Sequence, residues 1–429
     1  MARGRRRLSV LPSWLLELLI ALMVVIVDPS AGRTTAQNNR LAKPFIEEGI
    51  TAYQEGNYQE AIVALTKAQT FVPDHSPTAL YLGLSYLKQN RLPEAIAAWQ
   101  TYVTLPPYTG TERQNNLQAI VTQYLTLLLR VQNQQNAQAA IARERDIGPG
   151  DAHTVAIAYY QNLGSAQLTP LQKGLTALLI VDVSQVRELK VVERDRLQAM
   201  LEELKLGTSG IVDQRTAART GHLLGAGQVA TGSYVDPTKD QMRVDSVLAA
   251  TSSAKVFGNE DVSGQIKQFF DVEKELASAI LKDLGYDQNR LQGEGILDAV
   301  RRPQTKSYPA FESLSLGLDA KDRQDYRAAR SLFQQALTYD PKFEAARREL
   351  LHTPLAPLSI GEISSSVAAA APSAAEATAG MPELVPVLSP PHPVVEVPPV
   401  PPVVAPPPPQ PPPPPAPPPI PPPIPPPGS

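Results

Sequence analysis

The sequence predicts a multidomain protein that joins an α-helical domain to an α/β domain with a mixed sheet. Three observations predict this fold class: a repeat in the N-terminal third, an alternation of strands and helices in the middle, and a C-terminal stretch dominated by proline. Without the two terminal segments, the chain still holds more residues than a single hydrophobic core usually organises. The 429 residues are therefore expected to fold as several domains in series.

Residues 1–36 carry the features of an export signal. Four arginines among residues 3–7 precede an apolar run over residues 14–27, which contains a single charged residue. A Thr-Thr-Ala sequence predicts cleavage after Ala36. Alternatively, residues 8–27 are about as long as the ~20 residues that span a bilayer, and would anchor the chain. Both interpretations place the protein in a bacterial cell envelope, in the periplasm, and the second adds a membrane anchor.

Composition excludes several classes of function. The absence of cysteine excludes disulfides and also a lipoprotein, because lipid attachment at a signal cleavage site requires a cysteine there. The 39 basic and 42 acidic residues give a formal charge of −3, and no basic block lies outside the signal region, so no nucleic-acid partner is expected. The histidines are not at metal-ligand spacing, so neither a metal nor a cofactor is expected. They are His75, His153, His222, His352 and His392.

No motif of the chain predicts an enzyme. The glycines at 225 and 227 end a helix and open a strand, which is the reverse of a dinucleotide-binding fingerprint. The charged residues 193–196 fall at a predicted helix start, where such residues satisfy backbone donors and pair with neighbours. Neither a nucleophile elbow nor a zinc-protease helix occurs. The chain is therefore expected to be non-enzymatic, with no catalytic residue.

A period of 34 residues organises the N-terminal part of the chain, and this period is typical of tetratricopeptide (TPR) repeats. Glycine and alanine at matching positions let two helices approach closely, and proline ends the second helix. Residues 111–146 contain neither proline nor glycine and supply a degenerate third unit or cap. Residues 42–146 are thus predicted to form a TPR-like helical solenoid. The repeated pairs are Gly49 and Gly83, Ala61 and Ala95, and Pro73 and Pro107.

One face of the inner helices of these repeats is a candidate peptide-binding groove. Its side chains recur at helical spacing and form one apolar stripe. A stripe of this kind could hold an apolar or helical segment of a protein partner. The alternative is that the same side chains pack against the third unit or the middle domain. The residues are Ile46, Ile50, Tyr53, Leu80, Leu84 and Leu87.

Residues 152–286 show the alternation expected of an α/β domain. Strands are predicted for the stretches TVAIAYYQN, LKVVE, GQVATGSYVD and QMRVDSVLAATSSAKVFG. Helices are predicted after Thr169-Pro170, over RDRLQAMLEELKL, over QRTAARTGHLL and through Phe269 and Ile280. The sheet is expected to be mixed and to be covered by helices.

Three stretches of this domain resemble the curli production assembly/transport component (CsgG-like) family: VVERDRLQAMLEELKL, SGIVDQRTAARTGHLLGAGQVATGSYVD and the paired strands that end in FGNEDVSG. The most specific parts are residues 192–197 and Gly225-Ala226 with Thr231-Gly232. The resemblance implies an α/β core related in form to the N-terminal domain of TolB, in an envelope protein with an assembly role. In the outer-membrane channel of that family, this core is the periplasmic vestibule of an oligomeric peptide-secretion pore.

Two departures from the family bear on function. The family's channel is a lipoprotein with membrane-spanning hairpins, whereas this chain lacks cysteine and has only a tight polar turn at residues 236–241. A spanning strand needs roughly 9 to 11 residues. We therefore predict a non-enzymatic cell-envelope scaffold or assembly protein that mediates protein–protein interactions and can form homo-oligomers. The alternative is an oligomeric outer-membrane secretion-channel component.

The C-terminal part is predicted to contain one more helix pair and a tail. Residues 308–351 match the repeat offsets once, and a single TPR-like pair should pack on the middle domain or on another chain. Residues 354–429 are predicted to be a disordered tail, rich in alanine and serine over 364–379 and in proline over 398–429. This tail is interpreted as a spacer that reaches the cell wall or the opposite membrane, as a docking strip, or as a segment without a partner.

Overall fold

Helix pairs form the N-terminal part of the chain in the computed structural model, which describes residues 35–107, 111–206, 214–238 and 240–382. The helices of this part are α1 (Thr35–Gln54), α2 (Tyr58–Phe71), α3 (Ser76–Lys88), α4 (Leu92–Thr104) and α5 (Glu112–Ala142). Helix α5 is a single helix of 31 residues in place of a third pair. The predicted export signal lies almost entirely in residues 1–34, outside the described residues, so its cleavage stays a prediction.

Glycine allows close packing within each N-terminal pair. A side chain added at Gly49 would overlap Leu65 of the partner helix, and one added at Gly83 would overlap the indole of Trp99. Both contacts span the same sequence offset, so the period of the sequence corresponds to a repeated packing of two helices. The helical N-terminal region is thus confirmed, while the assignment of its helices to TPR repeats stays a prediction.

Helix α5 connects the N-terminal helices to the α/β domain. Its first half buries Leu117, Val121 and Leu128 in the apolar cluster of α1 to α4. Closer to its C-terminal end, Ala137 is buried in a cluster of the α/β domain. The predicted third unit is therefore a bridging helix that caps the first two pairs.

The middle domain is built on a mixed sheet, as the sequence predicts. Its strands are β1 (Asp151–Ile157), β2 (Gln161–Asn162), β3 (Lys190–Val191), β4 (Ala226–Thr238), β5 (Gln241–Ala250) and β6 (Val256–Gln265). They lie in the order β3-β1-β4-β5-β6, with β2 beside β4. Strand β1 is parallel to β3 and β4, whereas β5 is antiparallel to both of its neighbours.

Helices cover both faces of this sheet. They are α6 (Leu171–Val183), α7 (Arg194–Glu203), α8 (Gln214–Leu223), α9 (Phe269–Asp283), α10 (Gln288–Gly293) and α11 (Leu297–Arg301). Successive residues of a strand point to opposite faces. Accordingly, Val155 and Ile157 are buried with α6 and α9, whereas Ala156 is buried with α7 and α8. The sheet is therefore the central layer of three.

A further helix pair packs on the α/β domain and shares its apolar cluster, as predicted for residues 308–351. The helices that follow the α/β domain are α12 (Tyr308–Asp322), α13 (Tyr326–Tyr339) and α14 (Glu344–His352). Glycine again permits the approach: a side chain added at Gly174 of α6 would overlap Phe311 and Ser315 of α12. Within the pair, Gly317 approaches Phe333 in the same way.

The prediction of a disordered tail from residue 354 onward is wrong for residues 354–382. This stretch forms the helices α15 (Ile360–Ala370) and α16 (Ala374–Ala377), and α15 buries Ile363 and Val367. Richness in alanine and serine suggested disorder, but alanine is the strongest helix former and each helix begins with a Ser-x-x-Glu capping box. Residues 383–429, which hold the proline-rich part, lie outside the described residues.

Candidate functional site

The side chains predicted to line a peptide groove are buried. None of them is more than 9% exposed, and all belong to the apolar cluster of the N-terminal helices. These side chains therefore do not line an open groove, because the inner face of α1 and α3 is covered within a packed apolar cluster. These residues are Ile46, Ile50, Tyr53, Leu80, Leu84 and Leu87.

The chain's own residues 359–378, here named the C-terminal segment, complete this core. Helix α15 packs against α3 and α5, and α16 packs against α1. Ile363 and Val367 are 1% and 0% exposed and lie in the same apolar cluster as the predicted groove residues. The C-terminal segment thus occupies the face for which the sequence predicted a peptide partner.

Two buried side chains of α3 and its N-cap bind the main chain of the C-terminal segment. The Tyr81 hydroxyl donates to the carbonyl of Pro372 at 2.6 Å. Nε2 of His75 lies 2.9 Å from the carbonyl oxygen of Ala377, which can only accept, so Nε2 carries the proton. Nδ1 of the same ring then accepts from the Thr78 hydroxyl at 2.7 Å. His75 and Tyr81 thus both bind main-chain carbonyl groups of the segment. These groups do not depend on the identity of the side chains at those positions.

Burial fixes the protonation states of these two side chains. It lowers the pKa of His75 to about 4, opposed only in part by the hydrogen bond to Ala377. Burial also raises the pKa of Tyr81 to about 12. Both groups are therefore neutral at pH 7. Because the pKa of His75 lies below its ordinary value, the stability that this neutral ring contributes is lost as the pH falls from about 6.5 towards 4.

Side-chain contacts add to the interface with the C-terminal segment. Thr378 donates to the Glu47 carboxylate at 2.9 Å, and the Tyr124 and Ser366 hydroxyls are 3.1 Å apart. Sequence reasoning missed these polar residues and His75, since a repeat period identifies only the small and apolar positions. The capping boxes of the segment were the available signal, because Ser-x-x-Glu marks a helix start.

A cluster of buried charges lies where α6, α7 and α12 meet. Asp322 accepts from Arg194 at 2.9 Å and from Lys173 at 2.7 Å, and these three side chains are 6%, 7% and 9% exposed. Arg194 also donates to the Tyr159 hydroxyl at 3.2 Å. The sequence predicted that the charges at 193–196 pair with neighbours, and Arg194 does lie 2.5 Å from Asp195. Its second partner, Asp322, lies on α12, outside the α/β domain.

Three further ion pairs extend this cluster. Lys321 lies 3.3 Å from Asp195 and 2.9 Å from Glu349, and Arg130 lies 2.9 Å from Glu202. Burial acts to raise the pKa of Asp195, but attraction by Lys321 and Arg194 lowers it below the ordinary range, so the carboxylate stays charged. The cluster links α5, α7, α12 and α14, and it fixes their orientation because loss of one partner leaves a buried charge uncompensated.

A second buried group of charges lies between α6 and α9. Nζ of Lys274 is 2.5 Å from Asp182 and 3.3 Å from Glu273, and the two carboxylates are 0% and 1% exposed. Burial, and after it the neighbouring Asp182, raise the pKa of Glu273 well above its ordinary value. The environment therefore favours the protonated form of Glu273.

We predict that Glu273→Gln stabilises the protein at neutral pH, because glutamine keeps the shape without a group that must take up a proton on folding. The pKa of Glu273 is raised in the folded chain. The burial of Glu273 therefore costs no stability below the pKa of this residue in the unfolded chain, which is about 4.3. The cost grows as the pH rises, by at most about 1.4 kcal/mol per pH unit. Free energies of unfolding should coincide at pH 4 and diverge above pH 5.

The control for this prediction is Glu275→Gln, since Glu275 is exposed on the same helix. Its unfolding free energy should follow that of the unmodified chain at every pH. Parallel curves for Glu273→Gln and the unmodified chain from pH 4 to 8 would show that Glu273 is ionised in the folded protein.

A cavity of about 980 Å³ opens between β6, α9 and α10, and charges of both signs line it, among them Asp271, Lys282 and Arg301. Its lining contains no histidine to activate a nucleophile. Among the residues that the structure describes, no group of histidine and carboxylate side chains is suited to a metal ion. In the same residue ranges, no helix is long and apolar enough to cross a membrane. The absence of enzymatic activity, metal and cofactor stays a prediction.

The middle of the chain matches a known protein family. Residues 129–236 match the model of the family described as curli production assembly/transport component CsgG. The match runs from the second half of α5 through most of β4 and includes Arg194 and its neighbours Lys173 and Tyr159. The resemblance of the α/β core to this family is thereby confirmed.

The solved LpoB C-terminal domain from Salmonella enterica, in its selenomethionine form, is 12% identical over 31% of this chain and 94% of that chain, with a TM-score of 0.21. So low a score supports no statement about fold or function. No curated protein matches the chain.

Proposed function

We propose that this chain is a non-enzymatic scaffold of the bacterial cell envelope that mediates protein–protein interactions in a process related to curli assembly or transport. One arrangement of the chain carries the proposal. A core that matches the curli family is joined by buried charges to the helix pair of α12 and α13. The inner face of the N-terminal pairs binds a helical segment of the same chain. The match to the curli family supports the process, and the helices supply the binding surface.

The contacts of the described residues support a rigid scaffold. The Arg194 and Asp322 pair holds α12 on the α/β domain, and the Arg130 and Glu202 pair holds α5 on α7. Breaking a buried pair such as Arg194 and Asp322 costs several kcal/mol, so this contact keeps its two helices in one orientation. A rigid arrangement of binding surfaces is what an assembly protein requires.

The proposed location and partners follow from the ends of the chain and from the family match. The basic and apolar residues 1–36 support export to the periplasm, with cleavage after Ala36 or retention as an anchor. Proposed partners are proteins or peptides and further copies of this chain. The proline-rich residues 398–429 are proposed to reach the cell wall or to dock on a partner.

Cell fractionation tests this proposal. In a Gram-negative host, the full chain should be recovered from the periplasm or with the envelope membranes, whereas a variant lacking residues 1–36 should stay in the cytosol. Recovery of the full chain from the cytosol would contradict the envelope role. Planar-bilayer recordings distinguish the proposed scaffold from the alternative, a secretion-channel component. The scaffold should give no stable conductance, whereas a reproducible ring-sized conductance would favour the channel.

A further inference from the structure

We infer that the C-terminal segment is a tethered ligand, and that the inner face of α1, α3 and α5 is a peptide-binding site which this segment fills in its own chain. The inference rests on the proposed function as a protein-binding scaffold, and it names the chemistry that the site takes. That chemistry is an alanine-rich helical segment with a Ser-x-x-Glu start and two aliphatic anchors one turn apart.

The anchors of the segment have the spacing of a helix bound in a groove. Ile363 and Val367 are four residues apart on α15, and they are 1% and 0% exposed. Residues at this spacing lie on one face of a helix, and helical peptides dock through such pairs. On the same helix, Ala369 is exposed to solvent. The segment therefore presents one apolar face to the N-terminal helices and one polar or small face outward.

The segment also carries its own helix-forming signals. Ser359 and Glu362 exchange hydrogen bonds at the start of α15, and Ser373 and Glu376 do the same at the start of α16. A helix of 11 residues is marginal in water, so the segment gains most of its stability by docking. Such coupled folding and docking is typical of a peptide ligand.

Residues 355–357, which connect α14 to the C-terminal segment, are exposed and form the tether. Leu355 is 70% exposed, and Ala356 and Pro357 beside it are exposed as well. A short tether raises the effective concentration of the segment at its site to the millimolar range. A partner with the same chemistry therefore competes with the segment, and the chain restricts access to its own binding site.

Peptide exchange on a cut chain tests the inference. A protease recognition sequence replaces residues 355–357 of the full chain, which folds with the segment in place and is then cut. A fluorescent peptide of residues 356–382 should bind the cut chain saturably and displace the resident segment. The uncut chain should bind the same peptide at least about 100-fold more weakly, because the tether holds the competitor in place.

Two peptide variants make the test specific. A peptide with Val367→Asp should bind the cut chain at least about 100-fold more weakly, because it buries a charge without a partner. The matched peptide with Ala369→Asp should bind like the unmodified one. Failure of the cut chain to exchange the peptide, or equal binding of both variants, would show that the segment is not an exchangeable ligand and would overturn the inference.

The outcome does not depend on the test of the proposed function. The exchange assay uses no cellular partner, so its failure would leave the envelope scaffold intact. A cytosolic location of the full chain would in turn leave the result of the exchange assay unchanged.

Discussion

Replacement of Asp322 by alanine is expected to destabilise the protein by about 3 to 5 kcal/mol. The Asp322 carboxylate is the shared acceptor of Arg194 and Lys173, both of which are less than a tenth exposed. Burial already lowers the pKa of Lys173, and Asp322 is the main attraction that opposes this shift. Without Asp322, the two buried cations keep only the more exposed carboxylates of Asp319 and Asp195. Urea unfolding of the variant and the unmodified chain measures the loss.

Asp319→Ala is the matched control for this prediction. Asp319 lies one turn away on the same helix and also contacts Lys173 at 2.9 Å, but it is 39% exposed. Exposed ion pairs contribute about 1 kcal/mol or less, so this variant should lose correspondingly little stability. Equal losses for the two variants would show that the buried cluster does not hold α12 on the α/β domain.

The elements with local signals could be predicted from the sequence. Gly49 and Gly83 gave the period of the N-terminal helices, and each meets a large side chain of its partner helix at the same offset. The mixed sheet was likewise predictable, because alternation of apolar residues in β1 sends Val155 and Ala156 to opposite faces. Period and alternation are regular patterns along the chain, and so they are visible in one sequence.

Contacts between distant parts of the chain could not be predicted in the same way. Arg194 was recognised as part of a charged helix start, yet its partner Asp322 is 128 positions away. Nothing in either local sequence names the other residue. The same limit applies to His75 and Ala377, which the fold brings to 2.9 Å.

Composition over residues 354–429 does not distinguish the helices of residues 360–377 from the proline-rich residues that follow. Proline dominates residues 398–429 and made the whole of 354–429 look disordered. Residues 360–370 contain no proline and follow Ser359, the N-cap of α15. The capping boxes at Ser359 and Ser373 are the local signal that distinguishes the helical part from the rest.

Removal of residues 354–429 is expected to destabilise the N-terminal helices strongly. Full burial of an aliphatic side chain contributes about 1.5 to 3 kcal/mol, and the truncation removes Ile363 and Val367 from the cluster that contains Ile50 and Leu84. It also leaves the buried donors of His75 and Tyr81 without their carbonyl acceptors. The matched control ends at Pro382, so it loses the proline-rich residues and keeps the C-terminal segment.

Thermal unfolding of these two chains, followed by circular dichroism at 222 nm, tests the central claim that the C-terminal segment is bound to the N-terminal helices. The chain that ends at Thr353 should show a helical transition at least about 10 °C below that of the full chain. The chain that ends at Pro382 should unfold within about 2 °C of the full chain, since a proline-rich stretch cannot build a packed core. Equal midpoints for the chains ending at Thr353 and Pro382 would contradict the claim.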